Sequence, residues 1–157
     1  MPAFLDKLCS RSDLNERLRR LSRPLVFTNG VFDILHRGHV TYLAQARALG
    51  ASLVIGLNSD TSARALGKGP DRPLNNEVDR ACVLAALESV SLVTLFDEAT
   101  PVELLRIVRP DLYAKGSDYD IESLEETPVV RGFGGQARAI PFIDGYSTSA
   151  LVRRIRG

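Results

Sequence analysis

Short apolar runs alternate with longer amphipathic stretches along most of the chain. The runs have the length and composition of buried strands, and they cover residues 24–30, 52–57, 92–96, 112–114 and 137–142. The stretches between them carry apolar residues at the three- and four-residue spacing of a helix, as Val40, Leu43 and Ala44 do. Strands that alternate with helices in this way predict a parallel sheet with helices on both faces.

Capping and turn residues mark the ends of several helices. Gly50 follows a helix predicted over 38–49, and Ser147 precedes a last helix that reaches Ile155. Thr100-Pro101-Val102-Glu103 has the form of a capping box with proline at the first helical position, so a helix should start there. Other helices are predicted to begin near residue 76 and to pass through 129–130. The predicted fold class is α/β, a Rossmann-like doubly wound sheet of about five parallel strands.

Two segments fall outside this alternation. Residues 1–22 form a short amphipathic lead-in with Leu14, Leu18 and Leu21 at helical spacing, so we separate them from a domain at 23–157. The stretch 58–75 contains two glycines and two prolines and is predicted to be a loop. Long loops in compact domains are more often functional than not, so this stretch is a candidate part of the site.

Composition limits the classes of partner. Lys and Arg number 20 against 19 Asp and Glu, which leaves no overall field for nucleic acid or an anionic membrane. The N-terminus lacks a signal-peptide pattern and no apolar run approaches the roughly 20 residues of a membrane helix, so we expect a cytoplasmic protein. Cys9 and Cys82 lie far apart, no metal-binding Cys/His spacing occurs, and Cys82 is predicted to be a buried free thiol.

Polar residues and glycines connect the first strand to the first helix. Gly30 lets the chain turn, and Gly38 lets backbone N–H groups approach a ligand closely. The start of a helix offers unpaired N–H donors and a partial positive charge, which suit phosphate. The only two histidines, His36 and His39, lie here and should point the same way. One histidine could cap and the other pack, but their joint position at a strand end favours a phosphate site.

Three further clusters lie at comparable positions. Lys68 and Arg72 in the long loop, with Arg80 on the next helix, could reach a polyphosphate. Lys115-Gly116 follows the fourth strand, and Ser147-Thr148-Ser149 begin the last helix, where hydroxyl and N–H groups suit phosphate. Taken singly, each cluster also fits a solvated loop or an ordinary helix cap. The carboxyl ends of parallel strands share one sheet edge, so we expect the clusters to converge there.

Together these motifs resemble the cytidylyltransferase-like nucleotidyltransferase superfamily, whose mark is (His/Thr)-x-Gly-His after the first strand. Within it the chain looks most like the D-glycero-β-D-manno-heptose 1-phosphate adenylyltransferases, often the C-terminal half of a bifunctional kinase–adenylyltransferase. The resemblance covers residues 23–156. It rests on Asn29-Gly30-Val31-Phe32-Asp33-Ile34-Leu35-His36-x-Gly38-His39, Gly69-x-x-Arg72-Pro73-x-Asn75, Arg80, Thr100-Pro101, Pro110-Asp111, Lys115-Gly116-x-Asp118-Tyr119 and Gly145-Tyr146-Ser147-Thr148-Ser149. Ser117 and Ser149 stand where that family usually has Gly and Thr, which are also small.

The resemblance implies transfer of AMP from ATP to the heptose 1-phosphate, giving ADP-heptose and pyrophosphate for lipopolysaccharide core synthesis. It implies catalytic roles for His36, His39, Lys68 and Lys115. It assigns the nucleotide to Thr28, Asn29, Gly30, Phe32, Gly38, Arg80, Gly116, Tyr146, Ser147, Thr148 and Ser149, and the acceptor to Asn29, Asp33 and Arg72. Mg²⁺ would bridge the phosphates of ATP with few protein ligands. Dimers are common among relatives, so a homodimer is compatible with the resemblance.

Two alternatives stay open from the sequence. Cytidylyltransferases for glycerol 3-phosphate typically carry Arg-Thr-x-Gly-Ile-Ser-Thr before the last helix, where this chain has Phe142-Ile143-Asp144-Gly145. This favours ATP over CTP but leaves a cytidylyltransferase for a polyol or alcohol phosphate as the first alternative. A nucleotide-binding sensor without turnover is the second. A dehydrogenase is disfavoured because no Gly-x-Gly-x-x-Gly follows the first strand.

Overall fold

Five parallel strands form the single sheet of the computed structural model, which describes all 157 residues. The strands are β1 (Leu25–Gly30), β2 (Ser52–Asn58), β3 (Leu92–Phe96), β4 (Leu112–Gly116) and β5 (Gln136–Ile140). Their order across the sheet is β3-β2-β1-β4-β5, so the chain reverses its direction of winding between β1 and β4. The predicted Rossmann-like sheet is confirmed, and its topological switch point lies between β1 and β4, where such folds bind ligands.

Seven α-helices and two 3₁₀ turns surround the sheet. The helices are α1 (Leu14–Arg19), α2 (Arg37–Arg47), α3 (Asp60–Arg64), α4 (Glu77–Ala85), α5 (Val102–Val108), α6 (Glu126–Gly132) and α7 (Thr148–Arg156), and the 3₁₀ turns are Ala3–Lys7 and Ile121–Ser123. Successive strand residues face opposite sides of the sheet. Val26 therefore packs in the core with α2 and α4, while Phe27 packs with α1, α5 and α6.

Two of the predicted helix starts can be checked at their caps. Ser147 Oγ accepts a hydrogen bond of 3.0 Å from Ala150 N, so the predicted cap of the last helix is confirmed. The predicted capping box at Thr100 is wrong, because Pro101 occupies the N-cap position of α5 and no side chain caps that helix. Proline without an N–H is tolerated there, since the first helical N–H groups lack partners inside the helix in any case.

The stretch 58–75 is more ordered than its glycines and prolines predict. Its first part forms α3, which Ser59 caps through Ser62 N, and Ser62 and Ala63 are buried. The segment therefore joins the fold at its start, and only its later part crosses the surface as a loop. Its polar composition hid the helix, because one turn is too short to show an apolar period.

The lead-in packs against the outer edge of the sheet. Leu8 bridges Val93 of β3 in parallel, Cys9 N donates to Val93 O over 2.9 Å, and Leu14 is fully buried. The division between 1–22 and 23–157 stays a prediction. Both thiols are free, but Cys82 is only partly buried, so its predicted burial is wrong, and Cys9 is the buried thiol. No helix has the length and apolar character needed to cross a membrane.

Candidate active site

A cleft of about 400 Å³ opens at the carboxyl ends of β1 and β4, at the switch point of the sheet. Four segments contribute to it: the β1–α2 connection, the loop before α4, the end of β4, and the turn that leads into α7. They supply all of the predicted site residues except Thr28, Gly38 and Arg80. The four polar clusters therefore share one site, because the parallel strands deliver them to the same edge.

His36 and His39 lie together on the first turn of α2. His36 holds the N-cap position, and the two rings stack with centroids 3.8 Å apart and planes 22° apart. The Nδ1 atom of each ring is buried and makes no hydrogen bond within the protein. These two nitrogens form the most exceptional polar feature of the cleft, because buried polar atoms are nearly always partnered.

Burial keeps both rings neutral. It lowers the pKa of His36, and together with the neighbouring charge of His36 it lowers the pKa of His39 to about 4. The Ile34 carbonyl opposes this shift, although its position falls short of hydrogen-bond geometry. At pH 7 each imidazole therefore carries one N–H donor and one free acceptor. A polyphosphate beside the rings would raise both pKa values and favour a second proton.

The start of α7 packs directly against the start of α2. Thr148 Oγ1 donates to Ile34 O over 3.1 Å, and the ring of Tyr146 stacks on His36 at 6.0 Å. Gly38 permits this approach, because a Cβ there would lie 2.9 Å from the His36 ring and 3.0 Å from Tyr146 Cβ. The role of Gly38 is therefore to let Tyr146 and the His36 ring pack closely. Two helix N-termini consequently face one space, and each is suited to bind anionic oxygens.

Lys115 closes the opposite side of the cleft. Its Nζ donates to Asn29 O over 3.2 Å and lies 4.5 Å from the centre of the Tyr119 ring. Burial lowers the pKa of Lys115 to about 8, so the amine is mostly charged at neutral pH. Asn29 is held in turn by Tyr113, whose hydroxyl donates to Asn29 Oδ1 over 2.7 Å. A cation and an amide are therefore fixed side by side at the ends of β4 and β1.

An aromatic wall separates the cleft from the core. The rings of Phe142 and Tyr42 stack at 5.6 Å, and Phe142 lies so close to Gly116 that a Cβ there would approach it to 1.9 Å. Thr28 lies behind this wall with no exposed surface, and its hydroxyl pairs with Tyr42 Oη over 2.8 Å. The prediction that Thr28 contacts the nucleotide therefore does not fit the structure. Tyr42 and Phe142 were missed, although Tyr42 lies three residues after His39 and so on the same face of α2.

The Asp33 carboxylate is used entirely within the protein. It accepts hydrogen bonds from Arg72 Nε at 2.9 Å, Leu74 N at 2.8 Å and Asn75 N at 2.9 Å. Its side chain is only 1% exposed. Asp33 borders the cleft, but its oxygens are not available to sugar hydroxyls as predicted. It holds the loop that carries Arg72, and Arg72 itself faces the cleft.

Arg80 is placed away from the cleft, which corrects the expectation that it contacts phosphate. Its guanidinium donates to Val31 O, Asn58 O, Asn75 O and Asp60 Oδ1 over 2.8–2.9 Å, and its side chain has no exposed surface. These four hydrogen bonds use four of the five N–H donors of the guanidinium, and a side chain with no exposed surface cannot reach a ligand in the cleft. Sequence alone could not separate this arginine from Arg72, because both are cations flanking the same loop.

Carboxylates are few in the cleft. Asp118 and Asp144 join Asp33 along its lining, and no group of three or more His, Cys, Asp or Glu residues is arranged to hold a metal ion. The cleft is dominated instead by Lys68, Arg72 and Lys115 and by the two helix N-termini. The cleft is therefore suited to bind an anionic ligand that also has a part able to pack against aromatic rings.

Comparison with known proteins shows the family of the chain. Residues 27–154 match the model of the cytidylyltransferase-like family. The chain is 58% identical over 155 residues to the D-beta-D-heptose 1-phosphate adenylyltransferase of Bordetella bronchiseptica, covering 98% of this chain and 96% of that protein. It is 50% identical over 156 residues to the Bifunctional protein HldE of Methylobacillus flagellatus, but it spans only 32% of the length of that protein.

Solved structures with a similar fold agree with this family. The lipopolysaccharide core biosynthesis protein from Thermoplasma volcanium GSS1 superposes with a TM-score of 0.65 and 29% identity, covering 78% of this chain and 98% of the other. Pantoate-beta-alanine ligase from Francisella tularensis shares the fold alone, with a TM-score of 0.57 and 10% identity over 95% of this chain and 76% of the other. With its cleft at the β1–β4 switch point and its similarity to the Bordetella protein over nearly the whole length, the chain belongs to the cytidylyltransferase-like family, in the branch of the heptose 1-phosphate adenylyltransferases.

Proposed function

We propose that the protein transfers AMP from ATP to D-glycero-β-D-manno-heptose 1-phosphate, releasing pyrophosphate and forming ADP-heptose for lipopolysaccharide core synthesis. The observation that carries the proposal is the meeting of two helix N-termini across the stacked, unpartnered rings of His36 and His39. The similarity to the Bordetella protein supports a heptose 1-phosphate as the acceptor.

The reaction needs positioning more than it needs a base. A phosphate monoester is already anionic at pH 7, so one of its oxygens can attack the α-phosphorus of ATP directly. The bond to the α-phosphorus forms in line as the bond to the β-phosphate oxygen breaks, and pyrophosphate leaves with the electron pair. The protein then has to hold three anionic groups together and stabilise the charge that develops on them.

The cleft offers donors on both sides of that transfer. His36 and His39 donate N–H groups towards the triphosphate, and the start of α7 binds the phosphates that leave. Lys68, Arg72 and Lys115 neutralise the oxygens around the α-phosphorus and on the acceptor phosphate. Asn29, at the end of β1 and beside Lys115, is proposed to bind the acceptor. The positions of these side chains around one cleft support the proposed roles.

The donor is proposed to be ATP carried as its magnesium complex. Magnesium keeps most of its own waters and binds phosphate oxygens, so it needs few carboxylates from the protein, and Asp118 and Asp144 are those that the cleft presents. The rings of Phe142 and Tyr146 are partly exposed in the cleft and suit a stacked base. We place the reaction in the cytoplasm, and a homodimer stays a prediction.

A nucleotide-by-acceptor matrix tests the proposal. ATP and CTP are each combined with heptose 1-phosphate and with glycerol 3-phosphate in the presence of Mg²⁺, and pyrophosphate release is measured. Release is expected with ATP and heptose 1-phosphate and should stop when the Mg²⁺ is chelated. A preference for CTP would make the protein a cytidylyltransferase. Tight ATP binding without pyrophosphate from any acceptor would make it a sensor, and both results would overturn the proposal.

A further inference from the structure

We propose that Asp33 and Arg80 are positioning residues, which act on the reaction through Arg72 and Lys68 and not by contact with substrate. This inference rests on the proposed function, because it concerns the cations of the same cleft. It replaces the ligand roles that the sequence suggested for both residues.

The first observation is the way Asp33 holds the end of the loop. The carboxylate takes hydrogen bonds from one side chain and two successive backbone N–H groups, at Arg72, Leu74 and Asn75. Asn75 completes the link by donating its Nδ2 to Asp33 O over 2.7 Å. The loop is thereby joined to the connection that carries the histidines. Arg72 is engaged through Nε, which leaves its two Nη groups free to bind phosphate.

The second observation is that Arg80 connects the β1–α2 connection to both ends of the loop. Val31 belongs to the β1–α2 connection, Asn58 ends β2, and Asn75 ends the loop, and their three carbonyls all accept from this guanidinium. Asp60 at the start of α3 accepts a fourth hydrogen bond, from Nη2. One side chain therefore fixes both ends of the segment that carries Lys68 and Arg72, as well as the segment that carries Asp33.

The third observation is that little else holds this loop. Residues 64–68 are all exposed, so no packed side chain fixes their position. Beyond its ends, the loop has an ion pair between Asp71 and Arg156 of α7 at its tip, and exposed pairs of this kind contribute little. The positions of Lys68 and Arg72 therefore depend on Asp33 and Arg80, since buried, fully paired charges have one favourable geometry.

A double-mutant cycle tests whether Asp33 acts through Arg72. Asp33→Asn keeps the size of the side chain but turns one carboxylate oxygen into a donor. The new NH₂ group would face either Asn75 N, or Arg72 Nε and Leu74 N, depending on which oxygen it replaces. We expect Asp33→Asn and Arg72→Ala each to lower kcat/KM for ATP roughly 10- to 100-fold, and the double variant to lose at most about threefold more than Arg72→Ala alone. The same cycle with Arg80→Lys, which keeps the charge but not the planar set of donors, tests Arg80.

Glu122→Gln is the matched control. It removes the same charge from an acid that pairs with Arg131, but this pair is exposed and does not line the cleft. Its kcat/KM should stay within about twofold of wild type, as surface substitutions generally do. Circular dichroism of every variant verifies the fold. If Asp33→Asn does not fold, Asn75→Ala takes its place in the cycle, because it removes one hydrogen bond of the same link and leaves the backbone contacts in place.

The outcomes separate this inference from the proposed function. Losses that multiply in the double variants would show that Asp33 and Arg80 act independently of Arg72 and would overturn the inference alone. If the wild-type protein releases no pyrophosphate with any substrate pair, the proposed function fails. The cycles are then measured as dissociation constants for ATP by calorimetry, where non-additive losses still support the positioning role and additive losses still exclude it.

Discussion

The polar side chains near the switch point fall into two groups that use their hydrogen-bonding capacity in opposite ways. His36 and His39 are partly buried, and each keeps an Nδ1 atom without a partner. Arg80 and Asp33 lie within the same region, and their buried charged groups make four and three hydrogen bonds within the protein. All four belong to the motifs that carry the family resemblance, yet among them only the histidines have a buried polar atom without any partner.

The difference is informative because the two states have different free-energy costs. A buried polar atom without a partner costs about 1–3 kcal/mol, so a fold keeps such atoms mainly where a ligand will satisfy them. A buried charge costs more still unless it is paired, which explains why Arg80 has four acceptors. Side chains with a buried polar atom that has no partner, here called open groups, are therefore the candidates for contact with substrate. Side chains whose charged groups are bonded within the protein, here called saturated groups, support the site.

Replacing an open group should have the largest effect. We expect His39→Ala to lower kcat for pyrophosphate release by about 10²–10³, because a preorganised donor to the reacting phosphates is lost. The melting temperature should change little, since the same substitution removes a buried unpartnered nitrogen. Pyrophosphate release and thermal melting are measured on the same preparation. Turnover near that of wild type would mean that the ring only packs against Phe32 and that the open group is not functional.

Moving the open groups without removing them should have a smaller effect. We expect Gly38→Ala to lower kcat/KM roughly tenfold, because its Cβ would push apart the His36 ring and Tyr146. Gly132→Ala is the matched control: its Cβ would meet nothing within 4 Å, and alanine suits a helix better than glycine. Steady-state kinetics of both variants decide the point. Equal activities would show that the contact between α2 and α7 does not shape the site.

The pH dependence of kcat/KM tests Lys115, the buried amine of the cleft. Lys115 binds anions in its protonated form, and burial lowers its pKa to about 8, so kcat/KM for ATP should fall about fivefold from pH 8 to pH 9. In Lys115→Arg the cation persists across this range, so the alkaline decrease should disappear even where the absolute rate is lower. The profile is measured as pyrophosphate release at low ATP. An unchanged decrease in the arginine variant would assign it to another group.

A saturated pair on the surface should have the smallest effect. Asp71→Asn breaks the ion pair with Arg156 at the tip of the loop, where both side chains are exposed. We expect KM for ATP to change less than about twofold and the melting temperature to stay within error, because exposed pairs are weak and screened by salt. A large increase in KM would show that the tip of the loop, and not its end at Asp33, sets the position of Lys68.

Some elements of the fold could be predicted from local sequence patterns and others could not. Four of the five strands could be predicted because each is a largely buried apolar run, whereas the edge strand β5 is mostly exposed and buries only Ile140. The start of α7 could be predicted because Ser147 caps it through its own neighbours. A helix does begin at the predicted Thr100 motif, but one residue later than expected, because Pro101 takes the N-cap position and no side chain caps α5. The helix α3 is too short to show an apolar period, and Thr28 is fully buried as part of the apolar run that predicted β1.

The sequence by itself determined the sheet, the order of its motifs and the edge at which they meet, since period, turns and strand direction are local properties of a parallel α/β chain. It also identified His36 and His39, because a helix start after a strand orients both rings the same way. Only the tertiary structure decided which charged residues are ligands and which are supports. Whether a guanidinium faces water or three carbonyls depends on contacts between residues distant in the chain, as the carbonyls of Val31, Asn58 and Asn75 around Arg80 demonstrate.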